Sequence, residues 1–89
     1  MKAMKAMKVH VRYFASLREA LGAQQAVEMP AGSTLGALRD TLAASSARHA
    51  ELLARDRAVR CAQDQRLCDE ATLLVDGAEV AFFPPVTGG

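Results

Sequence analysis

Residues 73–89 read Leu73-Leu74-Val75-Asp76-Gly77-Ala78-Glu79-Val80-Ala81-Phe82-Phe83-Pro84-Pro85-Val86-Thr87-Gly88-Gly89, and the fold depends on how this stretch joins the rest of the chain. Asp-Gly between two apolar runs is a strong turn signal, and local logic alone makes it a two-residue hairpin of residues 73–75 with residues 79–83. Pro84 and Pro85 lack N–H donors and hold φ near about −65°. They should end the strand and project residues 86–89 away from the domain. Gly88 and Gly89 have no Cβ to clash in a narrow channel. Val86, Thr87 and Gly88 therefore read as a thread that enters another protein's site and presents the Gly89 carboxylate as the reactive group.

Nearer the N-terminus, Val9, Val11 and Tyr13 alternate with Lys8, His10 and Arg12, and period two means a half-buried strand. Residues 15–21 read as a short helix with Leu17 and Leu21 at i, i+4, stopped by Gly22. A second strand around residues 26–29 ends at Pro30. So short a connection is too tight for a full parallel crossover. Ser33 or Thr34 can accept the first free N–H groups of a helix, on which Leu35, Leu38 and Leu42 share a face. Ser45 and Ser46 interrupt it, residues 47–54 form another helix carrying Ala50 and Leu53 inward, and extended structure resumes at residues 59–62.

The segment from Asp76 to Gly89 resembles the C-terminus of the small, sulfur-carrying subunit of molybdopterin synthase, with Phe-Phe-Pro-Pro-Val-x-Gly-Gly as its most specific part. Val9-His10-Val11-Arg12-Tyr13-Phe14-Ala15 with Leu17-Arg18-Glu19 is similar to that family's first strand and helix, and Ser33-Thr34-Leu35 to the start of its second helix. The resemblance implies an α+β, ubiquitin-like β-grasp fold: a mixed sheet wrapping the helix of Leu35 to Leu42, with the last strand paired centrally with the first. That topology replaces the local hairpin and keeps the turn at Asp76-Gly77. The domain is then residues 7–83, preceded by a disordered extension over residues 1–6 and followed by the tail, residues 84–89.

The resemblance also implies a mechanism. An adenylating enzyme similar to those that activate ubiquitin uses ATP to turn the Gly89 carboxylate into an acyl-adenylate, and sulfur from a persulfide donor replaces AMP. The thiocarboxylate then works inside the large catalytic subunit, in an assembly of two small and two large chains, converting a cyclic pyranopterin monophosphate into a dithiolene. The chain has no G-x-x-x-x-G-K-[ST] motif, so nucleotide binding falls to the partner. It is expected to bind no cofactor and no metal itself, and to be no enzyme on its own. Phe82 and Phe83, with Pro84 and Pro85, are the candidate partner-binding residues. One phenylalanine should join the core and the other stand exposed as an anchor, worth about 1.5–3 kcal/mol if buried on docking.

Composition agrees with a carrier. Eighty-nine residues fit one domain, of a size that buries only somewhat above about 60% of the unfolded surface. So little chain does not readily build a water-excluding cleft, and a partner must complete the chemistry. Eleven Lys and Arg against ten Asp and Glu leave a charge of +1, without the concentrated basic face that nucleic acids require. All three lysines, Lys2, Lys5 and Lys8, fall within the first eight residues. The doubled Met-Lys-Ala opening reads as an extension, with Met7 expected as the functional start, and its lysines break any signal-peptide apolar run. A cytoplasmic protein is expected, with no membrane association.

Cys61 and Cys68, with six residues between them, match neither a C-x-x-C redox pair nor paired zinc spacings. They read as small, reduced, mostly buried hydrophobes. His10 and His49 read as solvated, with no second ligand at metal spacing. Two other functions share the tail: a sulfur carrier for thiazole synthesis, and a modifier that forms isopeptide bonds with lysines.

Overall fold

The computed structural model describes residues 6–54 and 56–85. Its elements in chain order are β1 (Ala6–Tyr13), α1 (Ala15–Leu21), β2 (Gln24–Pro30), α2 (Leu35–Ala43), α3 (Ala47–Leu53), β3 (Arg60–Gln63), β4 (Arg66–Cys68) and β5 (Glu79–Phe83). The expected N-terminal extension falls outside the described residues except for Ala6, which pairs with Pro30 at the start of β1. The strands form one mixed sheet in the order β2-β1-β5-β3-β4. β1 and β2 run antiparallel, with Val9 opposite Val27, as the tight β1-α1-β2 connection requires. β5 enters between β1, to which it is parallel, and β3, to which it is antiparallel. Residues 73–75 are no hairpin partner of β5. Apart from one bridge between Leu73 and Thr34 they are irregular.

Two anchors explain why Asp76-Gly77 feeds β5 into the sheet centre. The Lys8 N–H donates to the Asp76 carboxylate at 3.0 Å, and the Gly77 N–H donates to the Lys8 carbonyl at 2.8 Å. Gly77 has φ +82°, a region closed to most L side chains. The turn is thus stapled to β1 at the point where parallel pairing begins, with His10 N–H on the Ala78 carbonyl.

One face of the sheet is covered by helices. Val9, Val11, Tyr13, Met29, Val80 and Phe82 meet Leu17, Leu35, Leu38, Leu42 and Leu53 in a single core. Thr34 caps α2, its hydroxyl accepting from Ala37 N–H at 3.1 Å. Ser46 caps α3 in the same way through His49 N–H.

Two details depart from the sequence reading. Ala50 is exposed, and the inward line of α3 runs through His49 and Leu53 at i, i+4. Capping at Ser46 fixes this phase, and Ala50 lies about 100° further round the helix. His49 is accordingly packed rather than solvated. Its ring stands edge-on to Tyr13 at 6.1 Å, and its Nε2 is buried without a hydrogen-bond partner.

No sequence signal announces the role of Arg39, which is 4% exposed. Its guanidinium donates to the carbonyls of Leu53, Ala54 and Arg57 and pairs with Glu70. One side chain from α2 thereby ties down the end of α3, the chain beyond it and the turn before residue 71.

Candidate functional site: the root of the C-terminal tail

Alternation along β5 splits the two phenylalanines. Phe82 is 1% exposed and stacks against Tyr13 at 6.4 Å. Placed by sequence among the partner-binding residues, Phe82 offers a partner no side-chain surface, because it belongs to the core. Phe83 points the other way and is half-buried, as are Pro84 and Pro85. Val86, Thr87, Gly88 and Gly89 lie outside the described residues. The structure therefore defines the root from which the thread leaves.

That root is rigid. Phe82 pairs with Tyr13 on one side and Cys61 on the other, and Phe83 pairs with Arg60. The Phe14 N–H adds a hydrogen bond to the Phe82 carbonyl at 3.2 Å. The entry to β5 is held too, because Asp64 exchanges two bonds with Glu79, one from its own N–H and one to its carboxylate.

The sheet face without helices is divided. Ala81 of β5 lies opposite Ala62 of β3, which lies opposite Leu67 of β4. With Phe83 two residues along from Ala81, these make an apolar row, and Leu67 is 61% exposed. On the other side of β5 the same face turns polar. Arg12 lies opposite Ala81, bonds the Glu79 carboxylate at 2.9 Å, and stacks its guanidinium 5.3 Å from the centre of the exposed Phe14 ring. The root at Phe83 thus sits on a face with an apolar row toward β3 and β4, exposed Arg60 directly opposite it, and Arg12 over the Phe14 ring on the β1 side. Sequence reading missed that Arg12 and Ala62 flank Ala81 of β5, with Leu67 beyond Ala62. Only the register of β3, β4 and β5 brings them together.

Cys61 and Cys68 are free thiols. Burial, and then the neighbouring Cys68 sulfur, push Cys61 up to about 11, so near neutrality it stays a protonated thiol. Among the described residues no group of three or more His, Cys, Asp or Glu is placed to hold a metal. No helix among them is long and apolar enough to cross a membrane.

A mixed sheet over a capped helix, with its last strand inserted beside the first at the centre, defines a ubiquitin-like β-grasp protein. The sequence profile of the ThiS family matches residues 11–89, and the chain belongs to that family. It is 45% identical over 82 residues to the molybdopterin synthase sulfur carrier subunit of Escherichia coli, covering 91% of this chain and 99% of that one. A Haloferax volcanii protein solved in solution superposes with a TM-score of 0.79 at 29% identity, over 94% of this chain and 88% of the other. A protein in the complex of subunits 1 and 2 of the molybdopterin-converting factor from Helicobacter pylori matches with a TM-score of 0.67 at 27% identity, over 93% of this chain and all of its own.

Proposed function

We propose that this chain is a sulfur carrier acting as the small subunit of a heteromeric molybdopterin synthase, with Gly89 as its working residue. The observation that carries the reading is a fixed strand, β5, leading through Pro84-Pro85 into Gly88-Gly89, in a chain nearly half identical to a carrier of that name.

The chemistry follows from the carboxylate. An α-carboxyl group has a pKa of about 3.3–3.7, so near neutrality it is ionised and a poor electrophile. Its oxygen attacks the α-phosphate of ATP on an adenylating partner, releasing pyrophosphate and leaving an acyl-adenylate. The outer sulfur of a persulfide donor displaces AMP to form an acyl disulfide. A second thiol then attacks the donor's sulfur in that S–S bond, forming a donor disulfide and leaving Gly89 as a thiocarboxylate. Docked on the large subunit, the tail holds this nucleophile against a cyclic pyranopterin precursor, where orientation replaces encounter. Two deliveries complete a dithiolene, and each returns Gly89 to a carboxylate.

The apolar row of Leu67, Ala62, Ala81 and Phe83 is the surface best suited to seat the tail's root on either partner, with Arg12 beside it. Mass spectrometry of the protein purified from its own cells tests the reading. Exchange of one oxygen for sulfur at Gly89 is expected. Conjugates on lysines of other proteins, with no such exchange, would favour the modifier.

A further inference from the structure

We propose that Cys61 and Cys68 form a reversible thiol-modification site, a dithiol that a two-electron oxidant such as a peroxide closes to an intramolecular disulfide across the β3–β4 hairpin. The proposal is independent of the tail's role.

The two residues are seven apart in sequence but directly opposite each other in the ladder. Directly opposite residues of antiparallel strands have Cα atoms about 4.5–5.5 Å apart, within the roughly 4.4–6.8 Å that disulfides span. Cross-strand partners also project from the same face of a sheet. The sulfurs already lean toward each other's backbone: the Cys61 thiol donates to the Cys68 carbonyl at 3.4 Å, and the Cys68 sulfur lies 4.0 Å from the Cys61 carbonyl. Neither is engaged in a bridge.

The hairpin holds that register firmly. Its two-residue turn, Asp64-Gln65, has φ +50° and +70°, the paired positive values of a tight hairpin turn. Asp64 is bonded to Glu79, and the Gln63 amide holds the Leu73 carbonyl and the Val75 N–H. β3 and the turn are therefore fixed against β5 and the loop before it, and β4 is held in register by its ladder with β3 and the tight turn.

Access is unequal. Cys61 is buried, whereas Cys68 is half-buried on the three-residue strand at the sheet's edge. Peroxide therefore meets Cys68 first. The Cys68 sulfur attacks one peroxide oxygen, the O–O bond breaks, and the sulfenic acid and one water form. The Cys61 sulfur then displaces hydroxide from the Cys68 sulfenic acid, its proton leaving with the hydroxide as a second water. Two thiols lose two electrons and two protons, and one peroxide becomes two waters. Closure would lock β4, which carries Leu67, onto β3 and stiffen the apolar half of the bare face.

The test uses the full chain, fully reduced and then exposed to hydrogen peroxide, unfolded in iodoacetamide and weighed intact. The expected product is a monomer lighter by two hydrogens that takes up no alkyl group. Dithiothreitol should restore two alkylatable thiols, and the oxidised form should melt roughly 5–15 °C higher. Cys68→Ser, which alters only a half-buried edge position, should keep the fold and give no bridged monomer. Two alkylations after peroxide, disulfide-linked dimers as the sole oxidised product, or sulfinic acids without a bridged monomer would overturn the proposal. So would a bridged monomer that melts below the reduced protein.

Discussion

The two faces of the sheet are made by alternate residues of the same strands, yet they differ in kind. On one face Val9, Val11, Val80 and Phe82 are buried beneath α1, α2 and α3. On the other, Ala62, Leu67, Ala81 and Phe83 form an apolar row with no helix over it, beside charged Arg12, Glu79 and Arg60, the last directly opposite Phe83. The buried core lies on the first face. The second keeps partly exposed apolar surface along the strand that leads to the tail. If the bare face is the partner surface proposed above, stability and function separate by strand parity, and substitutions on the two faces should show it.

The largest effects should fall on the covered face. Arg39→Ala removes the guanidinium donor from the Leu53, Ala54 and Arg57 carbonyls, of which Ala54 keeps the Arg57 N–H, and removes the Arg39 pairing from Glu70. It should cost about 3–5 kcal/mol in denaturant titration. Leu38→Ala, at the centre of the core, should cost about 2–5 kcal/mol. A change within about 0.5 kcal/mol of zero for either would place that residue on the wrong face.

Leu67→Ser should do the reverse. At 61% exposure it should leave stability within about 0.5 kcal/mol but weaken association with the large subunit by about tenfold, read by calorimetry. Loss of stability without loss of affinity would erase the distinction between the faces.

Raising the pH probes the covered face without mutation. Burial pushes the Tyr13 hydroxyl from 10.0 up to about 12, and Cys61 from 9.0 up to about 11. In each case the fold favours the neutral form. Their stabilisation is complete below the unfolded values, and is lost as pH rises through the folded ones. Melting temperature should fall between about pH 9 and pH 12, and Tyr13→Phe should remove the upper part of that fall. A flat profile would mean the two groups are hydrated.

The smallest effect is at the β3–β4 turn. Gln65 holds φ +70°, which favours glycine, so Gln65→Gly should stabilise by up to about 1 kcal/mol. A loss would show that the Gln65 side chain contributes contacts that outweigh its strain.

Legibility in the sequence follows the same division. β1, α1 and α2 are readable because alternation, Gly22 and the Thr34 cap are local signals for elements that bury one face. β4 is not, because Asp64-Gln65 is a tight turn without the glycine that usually announces one, and three residues carry too little periodicity. The phase of α3 escapes a reading of apolar spacing because alanine at position 50 fits either environment, whereas capping by Ser46 sets the rotation. Residues 73–75 look like a strand from their apolar run. Their backbone is instead engaged by the Gln63 side chain, a long-range bond with no sequence signature. The tail is conspicuous from its motif, but its surroundings depend on the register of three strands, and the buried bonds of Arg39 join segments up to 31 residues apart.

If Gly89 carries the sulfur and the domain exists to position it, the reach of the tail decides activity. Deleting Gly89, or adding one residue after it, displaces the reactive carbonyl by roughly 3.3–3.6 Å, and misplacement by about 1 Å can already cost on the order of a hundredfold in rate. Each variant should be incubated with the adenylating enzyme, ATP, a sulfur source, the large subunit and the pterin precursor, and its melting temperature measured in parallel. An unchanged melting temperature with no dithiolene product is expected. Product formed at the wild-type rate by the Gly89 deletion would contradict the role of the terminal carboxylate.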